Sequence, residues 1–176
     1  MKHPVSGPGR CAVFCLLLVL FCNPASLAEG LEFTADDTVT VSAERAWEAD
    51  ELDVVHFSGA FVLRAPDWSL EGDTAVVYGK LDDPDKVVVE GKPAKISFLR
   101  QEDETTATDS SAERIDGSAS VVQYFRATDK LTMSGTATLT RKDSTLASDS
   151  IEYDVETDRY SASGAAGINI ILNTDD

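Results

Sequence analysis

An all-β fold is predicted by three features of this sequence. The unit Asp, five residues, Gly recurs at Asp53–Gly59, Asp85–Gly91, Asp129–Gly135 and Asp158–Gly164. Apolar or small side chains fill the second and fourth places after each Asp: Val55 and Phe57, Val87 and Val89, Leu131 and Met133, Tyr160 and Ala162. Such alternation marks a strand with one buried face. Asp starts each strand at a turn, and Gly ends it where the backbone must bend. Longer ungapped stretches also repeat. Phe57 to Tyr78 laid on Met133 to Asp154 pairs Gly59 with Gly135, Leu63 with Leu139, Leu70 with Leu146 and Asp73 with Asp149. Asp73 to Gly91 laid on Gly117 to Gly135 pairs Ala75 with Ala119, Val77 with Val121 and Asp85 with Asp129. A recurring strand-and-corner unit implies stacked β-layers, not a single active-site scaffold. Asp73 and Gly79 share the spacing but stand outside the series.

Residues 1–28 read as a cleaved secretory signal. Lys2 and Arg10 supply the basic start, Cys11 to Cys22 is an apolar run of 12 residues, and Ser26 and Ala28 are the small residues before the cut. The run is shorter than the ~20 residues that cross a bilayer. Residues 29–176 then form one domain. Thr38 to Ser42 alternates as a strand, with Val39 and Val41 on one face. The Ala, Glu and Arg content of Ala43 to Leu52 favours a helical turn, with Trp47 capping the end of a core. From Val54 strands and turns follow quickly, with turn clusters at Ala65-Pro66-Asp67, Asp82-Asp83-Pro84-Asp85 and Arg141-Lys142-Asp143-Ser144. Gln101 to Arg114 is polar and acidic, and is expected to be a mobile loop. Strands resume at Ser118, run through Tyr153 and end with Ile168 to Leu172; Asn173 to Asp176 is a frayed tail. About ten to twelve short strands suit a sandwich, barrel or roll.

Charge and residue usage exclude several functions. All three cysteines, Cys11, Cys15 and Cys22, lie in the signal, so the mature chain forms no internal disulfide. Without Lys2 and Arg10, 13 basic residues face 31 acidic ones, a net charge of −18. Nucleic-acid binding needs a basic footprint, so it is not expected. The acidity keeps the chain soluble and restrains edge-to-edge aggregation. The one mature histidine, His56, occupies a polar-side slot and is read as solvated. There is no Gly-x-Ser-x-Gly setting, phosphate loop or zinc-ligand spacing. Carboxylates sit mainly at turns, where backbone chemistry explains them. No enzyme activity, cofactor or metal is expected.

Gly91-Lys92-Pro93-Ala94 followed by Lys95-Ile96-Ser97-Phe98 resembles the OstA-like family, in particular its LptA-type periplasmic lipopolysaccharide-transport members. Phe57-Ser58-Gly59, Gly117-Ser118-Ala119-Ser120 running to Tyr124, Leu131-Thr132-Met133-Ser134-Gly135 and Ser148-Asp149-Ser150-Ile151-Glu152-Tyr153 fit the same pattern. The resemblance spans Val39 to Gly164. The family often has Asn after the strand-ending Gly, where this chain has Ala60 and Thr136. The resemblance implies an antiparallel β-jellyroll, or β-taco, of two V-shaped sheets that holds lipid A acyl chains inside and leaves sugar outside. It further implies a periplasmic location and head-to-tail stacking through terminal strands. The stack would bridge an inner-membrane LptC-like protein and an outer-membrane LptD-like protein.

A groove wall presents apolar residues. The candidates are Val39, Val41, Phe57, Leu63, Ile96, Phe98, Tyr124, Leu131, Met133, Leu139 and Ile151. Each has a second reading as ordinary packing between sheets, which uses the same residue types. Ile96 and Tyr124 stand where the family places lipid-facing positions. Three other readings compete with the carrier. An LptC-like tethered partner would keep its N-terminal segment. A structural envelope β-repeat protein without ligand would have a filled core. A lipocalin-like barrel would lack the Asp-x5-Gly period.

Overall fold

The computed structural model describes residues 38–49, 53–81, 83–101 and 112–172. The predicted signal and the tail from Asn173 lie outside them. The strands are β1 (Thr40–Ser42), β2 (Arg45–Glu48), β3 (Val54–Arg64), β4 (Trp68–Lys80), β5 (Asp83–Gln101), β6 (Ala112–Phe125), β7 (Lys130–Arg141), β8 (Ser144–Asp154), β9 (Arg159–Ser163) and β10 (Asn169–Leu172). A 3-10 turn, Arg126–Thr128, joins β6 to β7. All ten form one antiparallel sheet in the order β1-β3-β4-β5-β6-β7-β8-β10. Two short strands share each outermost long strand. β1 pairs with Val62 to Arg64 and β2 with Val55 to Ser58, both on β3. β10 pairs with Ser144 to Ala147 and β9 with Ser150 to Asp154, both on β8. The all-β, antiparallel expectation therefore holds, with each long strand next to its successor in sequence.

The Asp-x5-Gly unit is half of a long strand, measured from a turn to an interior bend. Asp53, Asp129 and Asp158 adopt φ of 58°, 45° and 55° immediately before β3, β7 and β9. Asp tolerates that left-handed conformation better than most residues. Asp85 departs from the pattern and lies inside β5. Gly164 ends its strand, β9, whereas Gly59, Gly91 and Gly135 lie inside β3, β5 and β7 and bend them. Register shifts fall at Ser58/Phe61, Glu71/Thr74, Glu90/Ala94, Ser118/Val121 and Ser134/Ala137. Through the pairing these positions are neighbours, so one crease crosses the sheet from β3 to β8. Each such irregularity bends and twists its strand. At the crease Gly59 and Gly135 take φ of 80° and 78°. A Cβ on Gly135 would stand 2.7 Å from the Ser120 Oγ, which donates to the Gly135 carbonyl at 3.0 Å.

The first internal match survives folding: the β3–β4 and β7–β8 hairpins carry the same bend at the same place. The second match survives only in part. Asp85 to Gly91 and Asp129 to Gly135 are equivalent half-strands, but Val77 is buried while its partner Val121 is half-buried beside buried Val122. The turns before them differ in length, which shifts the facing of the preceding strand.

Four local expectations give way to tertiary pairing. Arg45 to Glu48 is strand β2, not a helical turn, because its backbone groups pair with β3. Pairing outweighs a helix preference of a few tenths of a kcal/mol per residue, about the spread among such residues. Trp47 does not cap the core: it is exposed and stacks on His56, ring centroids 5.3 Å apart and 6° from parallel. His56 is thereby half-buried instead of freely solvated. The expected loop from Gln101 to Arg114 is shorter at both ends, since β5 reaches Gln101 and β6 starts at Ala112; 102–111 lie outside the described residues.

Candidate functional site

Register turns the alternation into continuous apolar rows. On one side of the crease Phe57, Ala75, Val89, Val122, Met133, Ile151 and Ala162 follow one another from β3 to β9. On the other side Val41, Leu63, Leu70, Ile96, Gly117, Leu139, Leu146 and Ile170 run from β1 to β10. Both rows face one apolar cluster, except that Ile170 at the end of the second stands exposed outside it. They meet where Gly117 leaves room. A Cβ there would lie 2.6 Å from the Met133 Sδ and 2.7 Å from the Ile96 Cγ2. Met133 and Gly117 stand on opposite sides of the crease, so the bend brings the rows together.

The margins of the sheet also meet. Phe98 on β5 and Tyr153 on β8 have ring centroids 5.7 Å apart. These strands are three places apart in the sheet order, about 14 Å in a flat sheet. The Arg141 Nη2 donates to the Asp158 Oδ2 at 2.9 Å. Arg141 ends β7, whereas Asp158 follows the strand end that pairs with Lys130. A straight β7 would hold those ends about 36 Å apart. Curling of the sheet accounts for both contacts.

Nine of the eleven residues singled out in the sequence lie in the one cluster: Phe57, Leu63, Ile96, Phe98, Tyr124, Leu131, Met133, Leu139 and Ile151. Val39 and Val41 are half-buried and pack against its edge. Leu131, Met133 and Ile151 have no exposed surface, and Ile96 retains 1%. Phe61, Trp68, Leu70, Val77, Val87, Ile115 and Tyr153 join the same cluster. Their signal was the same alternation, continued through the partner strands.

A polar group beside the interior had no comparable signal. Asp158 accepts from the Tyr153 hydroxyl at 2.7 Å, and from Arg141 and Arg100 on its other oxygen. Arg141 also donates to buried Glu113 at 3.3 Å. Burial pushes the Asp158 carboxyl up, but the Tyr153 hydroxyl and the two guanidiniums outweigh it and hold the carboxyl below its ordinary range. Burial, with the Asp158 hydrogen bond and charge, pushes the Tyr153 phenol well above its ordinary value. These groups come from four strands and a turn, so no sequence window contains them. One trace was available. Tyr124 donates to Asp129 at 2.7 Å with the same five-residue separation as Tyr153 to Asp158.

Among the described residues no group of His, Cys, Asp or Glu is placed to hold a metal ion. The arrangement therefore offers an elongated apolar interior with a charged border.

The sequence profile of the family described as LptA/(LptD N-terminal domain) LPS transport protein matches residues 40–159. No curated protein matches the chain. The fold is similar to the crystal structure of LptH from Pseudomonas aeruginosa, described as the LptA homologous periplasmic component of the conserved lipopolysaccharide transport device. The TM-score is 0.65 at 19% identity, over 78% of this chain and 96% of that one.

Proposed function

Because the chain belongs to the LptA/LptD N-terminal family of lipopolysaccharide transport proteins, we propose that it carries lipopolysaccharide across the periplasm with the acyl chains of lipid A in its apolar interior. It is a transport protein, not an enzyme. In this reading residues 1–28 are removed on export and 29–176 form the carrier. The crease divides the sheet into two half-sheets of an antiparallel β-jellyroll, or β-taco, that part to admit chains between them. Carriers stack head to tail between an LptC-like inner-membrane protein and an LptD-like outer-membrane protein. The periplasmic description of LptH agrees with this placement.

The observation that carries the reading is the continuity of the apolar row from Val41 on β1 to Leu146 on β8, with exposed Ile170 extending it on β10. A closed globular core tapers at its ends, whereas a conduit continues to them. Burying an acyl methylene is worth about 0.8 kcal/mol, so several chains bind strongly without specific polar contacts. A photo-crosslinker at Ile96 or Tyr124 is expected to capture lipopolysaccharide, and one at outward-facing Asp116 is not. A second reading, a structural β-repeat protein without ligand, is favoured by the complete burial of Leu131, Met133 and Ile151 by neighbouring side chains. It predicts no capture at any of the three positions.

A further inference from the structure

We infer that the charged cluster at Asp158 is a latch between the two margins of the interior, and that it releases to let acyl chains enter. The inference rests on the carrier reading above. Arg100, Glu113 and Arg141 share one margin: Arg100 pairs with Glu113, and Arg141 with nearby Ile115. Tyr153 and Asp158 belong to the other. Three contacts join the margins, namely Asp158 with Arg100, Asp158 with Arg141, and the Phe98–Tyr153 rings. Behind them lie Ile96, Leu131, Met133 and Ile151, all but sealed from solvent. A lipid chain entering from this side must pass that line.

The cluster is suited to opening. The crossing ion pairs are part-exposed, with side chains 21–30% accessible, so water can replace each partner. Release also orphans few groups. Arg141 keeps Glu113 on its own margin, and Asp158 keeps the Tyr153 hydroxyl on the other. The Tyr124–Asp129 pair is the same local unit. A closure made only of packed side chains would expose apolar surface along its whole length on opening. Here the outermost layer exposes charges that are readily hydrated.

The test measures the rate and final extent of lipopolysaccharide uptake by the purified chain. Asp158→Asn keeps the shape and removes the crossing charge. Uptake is expected to be about fivefold faster or more, at unchanged final extent. Asp129→Asn, which alters the matching local unit, should leave the rate as it was. A double variant, Phe98→Cys with Tyr153→Cys, joined by a short thiol-to-thiol crosslinker with a reducible bond, should load slowly when joined and recover on reduction, since ring-to-ring contact leaves the two sulfurs too far apart for a direct disulfide. Wild-type rates in Asp158→Asn, or equal rates in the joined and reduced double variant, would overturn the latch while leaving the carrier intact. A wild-type chain that takes up no lipopolysaccharide sinks the carrier reading, and the latch with it.

Discussion

Ala60 and Thr136 follow the crease glycines with φ of 46° and 55°. This left-handed region penalises a Cβ, and a β-branched residue most of all. Asn is the side-chain-bearing residue that enters it most readily, which gives a physical reason for Asn at the matching place in the family pattern. Both positions are exposed, so substitution sacrifices little packing. Thr136→Asn is expected to stabilise the chain by about 1 kcal/mol, the lower end of the strain such positions store. Urea unfolding would show a higher midpoint at unchanged slope. A lower midpoint would mean that the threonine is held by contacts outweighing its backbone strain.

Among the elements, the long bent strand is the unit that explains the repeat. Five residues separate each turn Asp from its Gly because that is the depth of a half-strand between turn and crease. The geometry leaves a narrow place at Gly117, between Ile96 on β5 and Met133 across the bend. Its backbone is ordinary, so the requirement there is for space. Gly117→Val on β6 should cost about 1–3 kcal/mol through overpacking, despite the better strand propensity of valine. Gly117→Ala should cost less, since Met133 can swing its sulfur aside. Thermal unfolding of the pair orders the two effects. Equal stability of wild type and the valine variant would show that the interior is looser than these distances imply.

For the molecule as a whole, the ends of the sheet are where copies would meet in the proposed stack. Within the described residues nothing pairs with the outer edges of β1, β2, β9 and β10. Ile168, Ile170, Ile171 and Leu172 are all more than half exposed. Unpaired edges with apolar side chains invite strand addition. An N-terminal edge meeting a C-terminal edge is a heterologous contact, which yields open filaments instead of closed dimers. The acidic excess opposes association, so salt should lengthen the filaments by screening it. Ile170→Pro removes a backbone donor from β10 and should cut association. Light scattering across protein and salt concentration reads this directly. A wild-type chain that stays monomeric throughout removes head-to-tail stacking from the proposal.

Much of this architecture was legible because its rules are local. Alternation identifies a strand's two faces, and turn Asp and bend Gly mark where a half-strand begins and folds. Hence Val55 to Phe57, Val87 to Val89 and Leu131 to Met133 disclose their repeat, and nine groove candidates fall in one cluster. Where propensity and pairing conflict, local rules fail. Arg45 to Glu48 became β2 because β3 offered a free edge, and Glu113 could be buried because Arg141 lay beside it. The curl that brings Phe98 to Tyr153, and Asp158 to two arginines, was decided only in three dimensions. It depends on bends in several strands acting together, whereas side-chain alternation is a property of each strand alone.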